Sequence, residues 1–198
     1  MKSDEQLTKI MHYVQPLFQD DPTGHDFTHM KRVARLASTI AAKENADIFI
    51  CEAAAWLHDV GDHKLFTDTE DVLTETIVFL QSIGITDNHL DQIRVAIKDV
   101  SFSKGQIPQS LEGKIVQDAD RLDAIGAIGI ARTFAYGGAQ SQLIYDDTNK
   151  QQTSIQHFYD KLLKLTERLH TATAKQIAIK RHQFMENYLE QFFQEWSF

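Results

Sequence analysis

The sequence predicts an all-α protein, a compact bundle of roughly seven to nine helices with negligible sheet, on three observations. Only three prolines and nine glycines interrupt the chain. Apolar residues recur at steps of three and four through nearly every segment, the spacing that stacks side chains on one face of a helix. The length of 198 residues and an apolar fraction of 42% suit one domain with a sizeable core, since single domains commonly run ~100–200 residues.

Taken in order, the first periodic segment runs from Asp26 to about Asn45, where His29, Val33, Leu36, Ala37 and Ile40 share a face. His29 extends this apolar stripe at its N-terminal end. Asp47 is placed to cap the next helix, on which Ile50, Ala53, Ala54, Leu57 and His58 fall together. That helix is expected to stop near Gly61, with His58 and Asp59 in its last turn. Two amphipathic stretches follow, Thr69 to Ile83 with Leu73, Ile77 and Leu80, and Thr86 to Val100 with Leu90, Ile93, Ile97 and Val100, each with Thr at the cap.

Ser101 to Ser110 contains Gly105 and Pro108 and reads as a loop. Helical spacing returns from Leu111 to about Phe134, with a break expected near Asp118 to Asp120, and ends at Tyr136-Gly137-Gly138. Residues 138–153 are polar and read as a surface loop within one domain of residues 1–198. Two last helices are expected to pack on the core: Ser154 to His170, with Ile155, Phe158, Tyr159 and Leu162 inward, and Thr173 to about Trp196. The stripe Phe184, Met185, Tyr188, Leu189, Phe192 and Phe193 on the latter reads as core or as the contact of a homodimer.

Composition narrows the function. No run approaches the ~20 apolar residues of a membrane span, and the polar start Met1 to Gln6 lacks the apolar stretch of a secretory signal. The single Cys51 has no disulfide partner in the chain, so a cytoplasmic location is expected. Acidic residues exceed basic ones by 28 to 20, a formal charge of −8 that argues against DNA or RNA binding. A small cleft can still take an anion where a metal and a few cations reverse its local sign.

The residues that carry chemistry are His29, the pair His58-Asp59 and the cluster Asp118-Ala119-Asp120-Arg121-Leu122-Asp123. Each lies in or beside an apolar helical segment, where a carboxylate is costly unless a cation or hydrogen bonds compensate. Imidazole with carboxylate suits a divalent ion such as Mn²⁺, Fe²⁺, Ni²⁺ or Zn²⁺. The alternative for Asp120 and Asp123 is salt bridging to Arg121 or Arg132.

Three blocks in order, Gly24-His25-Asp26-Phe27-Thr28-His29-Met30-Lys31-Arg32-Val33, Ala53-Ala54-Ala55-Trp56-Leu57-His58-Asp59-Val60-Gly61-Asp62-His63-Lys64 and Ile115 to Ala127 with its Asp118-Ala119-Asp120-Arg121, resemble the HD-domain metal-dependent phosphohydrolases, in particular a bacterial subgroup of HD superfamily hydrolases. The resemblance continues through His157 to Leu165 and so spans most of the chain. It implies an all-α HD bundle, hydrolysis of a phosphoester or phosphoanhydride, and a divalent cofactor: Mn, Fe, Ni, Mg or Zn.

Carried over position by position, the family pattern implies His29, His58, Asp59 and Asp120 as ligands. His29 is preferred to His25 because the family's first ligand precedes Arg-Val by three residues, and Asp120 to Asp118 or Asp123 by its place at the final Asp. His25 would then line the entrance or pair with a carboxylate. Relatives with two metals carry further histidines between the second and last blocks; only His63 and His89 stand there, which favours one ion. Asp62 resembles the acidic residue that follows the His-Asp pair in nucleotidase members and is the candidate general base or water-orienting group. Arg32, Lys64 and Arg121 are candidate phosphate contacts, with His25 beside them and Lys64 counted with Asp62 in catalysis. The resemblance points to a nucleotide substrate, a nucleoside triphosphate pyrophosphohydrolase or nucleotidase type of reaction. The alternative is a catalytically silent HD module that binds a nucleotide or a partner.

Overall fold

A computed structural model describes residues 3–18, 24, 26–63, 65–100 and 105–197; His25, Lys64 and the loop residue Lys104 lie outside them. Among the described residues there are nine α-helices and no strand beyond one isolated bridge between Leu143 and Thr153. They are α1 (Ser3–Phe18), α2 (Phe27–Glu44), α3 (Ile48–Leu57), α4 (Thr69–Ser82), α5 (Asp87–Ile97), α6 (Leu111–Asp123), α7 (Gly126–Ala139), α8 (Ser154–Asp160) and α9 (Ala172–Trp196).

α3 is the centre of the bundle. Seven of its ten residues are buried, and α1, α2, α5 and α6 pack around it. A helix that is apolar on nearly all sides has no solvent face to present. α2 lies between α3 and α6, while α9 covers α2, α6 and α7. The capping foreseen for α3 is present, the Asp47 carboxylate accepting the Ile50 amide at 3.0 Å. Asp26 does the same for α2, accepting the His29 amide at 2.8 Å, and Thr86 for α5. No described helix is long and apolar enough to cross a membrane.

Several boundaries differ from the sequence reading. α1 was not anticipated; it buries Ile10, Val14 and Phe18 on one face and anchors α4 through Gln6, whose amide donates to the carbonyls of Ile83 and Gly84. α3 ends at Leu57, so His58 and Asp59 stand in the turn beyond it. The cap position of α4 is Asp68, not Thr69. α5 ends at Ile97 instead of running on to Val100.

The break expected near Asp118 falls at Ala124–Ile125. Asp118 stays helical and accepts hydrogen bonds from the His170 and Thr171 amides, each 2.8 Å. The corner is made by Gly126 at φ +78° and by Gly129, where an added Cβ would sit 2.2 Å from the Ala124 carbonyl oxygen. Ser154 to His170 is one short helix followed by two 3₁₀ turns, Leu162–Lys164 and Thr166–Arg168. Tyr159, expected inward, is 42% exposed beside the buried Phe158; of the α9 stripe read as core or dimer contact, Met185 is buried and Phe184 is 51% exposed.

Candidate metal centre

Two helices and the turn after a third deliver four side chains to one point. α2 supplies His29 from its first turn, the turn after α3 supplies His58 and Asp59, and α6 supplies Asp120. Nε2 of His29 lies 3.6 Å from an Asp120 carboxylate oxygen and 3.7 Å from one of Asp59. Nε2 of His58 lies 3.8 Å from the same Asp120 oxygen and 3.5 Å from Asp59. The imidazoles meet edge to face, with ring centroids 5.4 Å apart. Both are buried, and Asp120, whose side chain is 23% exposed, marks the open side.

The hydrogen bonds behind the rings fix their tautomers. His58 Nδ1 donates to the Ala55 carbonyl at 2.8 Å, and His29 Nδ1 donates to Asp123 Oδ2 at 2.8 Å. Burial lowers the pKa of His29 below its ordinary value, overcoming the opposite pull of Asp123, so the ring is neutral. In His29, Nε2 therefore presents a lone pair toward Asp59 and Asp120, and in His58 the Ala55 contact at Nδ1 turns Nε2 toward the same two carboxylates. His58 Nε2 is buried with no hydrogen-bond partner. Two imidazole nitrogens and two carboxylates that converge on one point are a mixed nitrogen and oxygen ligand set of the kind that suits a divalent cation. The described residues thus fit a divalent ion, with ligand atoms of His29, His58 and Asp120 all within 4.8 Å of one another.

A second layer lies behind the ligands, and in it the salt bridge from Asp123 to Arg132 that the sequence offered as an alternative is present, while the contacts of Asp123 to His29 and Arg32 were not foreseen. Asp123, 2% exposed, accepts from His29, from Arg32 Nε at 2.6 Å and Nη2 at 3.0 Å, and from Arg132 Nη1 at 2.8 Å. Burial alone would push this carboxyl up; the hydrogen bonds from His29 and Arg32 and the Arg132 charge outweigh it and hold it well below the ordinary range. The signal was available: Asp120 and Asp123 are three apart, hence neighbours on one helix face, and Asp118 is turned away from them.

The other candidates are distributed unevenly. Arg32 reaches the site through Asp123, its third nitrogen donating to Thr28 Oγ1 at 3.1 Å. Arg121, expected to contact phosphate, points elsewhere: Nη1 donates to the Arg168 carbonyl and lies 3.2 Å from His170 Nε2, tying α6 to the segment before α9. Asp62 sits in the turn after α3, its amide bonded to the Asp59 carbonyl at 3.1 Å and its side chain 16% exposed beside His63.

The HD domain family model matches residues 26–125, the stretch that contains all four converging side chains. YpgQ of Bacillus subtilis is 42% identical over 195 residues, covering 96% of this chain and 94% of its own. The chain belongs to the HD domain family. The crystal structure of Bacillus subtilis YpgQ in complex with ADP matches with a TM-score of 0.86 and 41% identity, over 98% of this chain and 97% of that one. An HD-superfamily hydrolase from Bacillus thuringiensis matches at 0.79 with 39% identity over 99% of both chains. A predicted HD superfamily hydrolase from an uncultured Thermotogales bacterium matches at 0.68 with 30% identity, over 96% and 92%. Membership supports a metal-dependent hydrolase in general terms, with His29, His58 and Asp120 as a group able to hold the ion.

Proposed function

We propose that the protein is a metal-dependent phosphohydrolase that cleaves a phosphoester or phosphoanhydride bond of a nucleotide. The observation that carries this reading is the convergence of two imidazole nitrogens and two carboxylates on one point, with nitrogen–oxygen distances of 3.5–3.8 Å. The nucleotide rests on the ADP bound by the YpgQ relative.

His29, His58, Asp59 and Asp120 would hold the ion, which when bound polarises a phosphate oxygen and favours ionisation of water. The protein's own part is orientation and proton handling. Ala55 and Asp123 fix the imidazoles, so the ligands need no rearrangement to receive the ion. Asp62, three residues beyond Asp59 in a hydrogen-bonded turn, is the group we assign to align the attacking water and take its proton. Lys64 and His25 keep the substrate-binding roles that the family resemblance gives them. Arg32, held by Asp123, contributes positive charge beside the site.

The test is a metal-supplemented screen against nucleoside mono-, di- and triphosphates with the products identified, so that phosphate release is separated from pyrophosphate release. Turnover that requires a divalent ion and vanishes in Asp59→Ala is the expected result. Stoichiometric nucleotide binding with no turnover under any metal would favour the silent binding module.

A further inference from the structure

The turn after α3 has two faces. His58 and Asp59 face His29 of α2 and Asp120 of α6. Leu57 and Val60, their neighbours in sequence, instead line a cavity of about 210 Å³ that opens between α4 and α5. Its other walls include Leu73 and Ile77 of α4 and Ile93 and Arg94 of α5. Thr76 also lines it, but that hydroxyl donates to the Val72 carbonyl at 2.7 Å and lies 3.0 Å from the Tyr13 hydroxyl.

Water is a poor occupant of such a space. A buried water needs roughly two to four polar partners, and an apolar cavity of about 150 Å³ stays dry and accepts a molecule the size of benzene. The space here is open on one side, but its walls offer almost nothing to hydrogen-bond, so an apolar body would displace water that is poorly held. Among the described residues lining it, Arg94 alone is charged. Its guanidinium is 56% exposed at the rim, and its partner Asp91 is 3.7 Å away and 76% exposed, a weak surface pair that an anion can displace.

We infer that this cavity is a binding site for a small amphiphile, an apolar body buried between α3, α4 and α5 with one anionic group on Arg94. It is separate from the metal centre and independent of which bond the enzyme cleaves. The two sites nevertheless share a wall. Gly61, at φ +77°, lies so close to Leu73 that an added Cβ would be 2.8 Å from the leucine Cγ. An occupant touching Leu57, Val60 and Leu73 thus bears directly on the turn that presents His58 and Asp59.

The experiment is calorimetric titration of the full-length protein with octanoate and with 1-octanol, both below their aggregation concentrations, alongside hydrogen exchange. One equivalent of octanoate should bind saturably, more tightly than octanol, and slow exchange in residues 57–61 and in α4. Arg94→Gln, at an exposed position, should weaken octanoate about tenfold and leave octanol unchanged. Ile77→Trp, which fills the space, should abolish both. Absence of saturable octanoate binding to the wild-type protein would overturn the proposal, as would equal loss of both probes in Arg94→Gln or binding without protection of residues 57–61. Self-association that Ile77→Trp removes, without probe binding, would overturn it in favour of a second copy of the chain.

Discussion

Asp123 Oδ2 lies 2.8 Å from Nδ1 of His29, and through this contact a residue outside the converging four decides which nitrogen of His29 faces Asp59 and Asp120. Asp123→Asn keeps the shape but loses the charge that draws the Nδ1 proton. Metal affinity should fall by ~10–100-fold, the usual cost of removing the partner that orients a ligating histidine. Calorimetric metal titration of wild type and variant checks it. Asp123→Ala, which also leaves Arg32 and Arg132 without their acceptor, should lower the stability of the metal-free protein by about 1–3 kcal/mol in urea unfolding.

Asp62→Asn separates proton handling from metal holding. The variant should retain its ion and lose ~10²–10⁴-fold in turnover. Metal content and steady-state kinetics on the same preparation decide the point; near-normal turnover with full metal would remove Asp62 from the mechanism.

His170 gives the fold a dependence on pH. Its Nε2 donates to the Gln117 amide oxygen at 2.7 Å, while burial, reinforced by Arg121, lowers its pKa despite the pull of Asp118. The unfolded chain therefore binds this proton more readily than the folded one. The stability contributed by neutral His170 is present above pH ~6.5 and is lost as pH falls toward the lowered folded value. The urea midpoint should drop between about pH 7 and pH 5, and His170→Gln should flatten that slope.

Cys51 is buried in α3, and burial, with Glu112 and Asp47 nearby, pushes its thiol up to about 12. The thiolate is the reactive form. Iodoacetamide at pH 8 should leave the native protein unmodified and label it fully in denaturant, as read by intact mass.

Much of this molecule was legible in its sequence, and for physical reasons. The faces of α2 and α3 follow from helical periodicity and the cap of α3 from Asp47, whereas Asp26, read as the first residue of its helix, is the cap of α2. The four converging residues could be named because family blocks added register to the spacing. α1 was legible but not read: Leu7, Ile10, Met11, Val14, Leu17 and Phe18 recur at steps of three and four and pack on the core, although Pro16 interrupts the pattern near its end. The corner is marked locally by Gly126, a glycine at φ +78° just past the end of α6, but the acidic cluster drew the expected break a turn too early. Arg121 shows the limit most clearly. Its place in the third block suggested phosphate, yet its side chain is directed by the Arg168 carbonyl and His170, 47 and 49 residues away.

His29, His58, Asp59 and Asp120 are proposed to hold one divalent ion between them. Metal stoichiometry by mass spectrometry, after loading with Mn²⁺ and removal of excess, tests it most directly. The wild-type chain should retain one equivalent, and His58→Ala and Asp120→Asn, folded by circular dichroism, should retain almost none. A full equivalent in both variants would contradict the account.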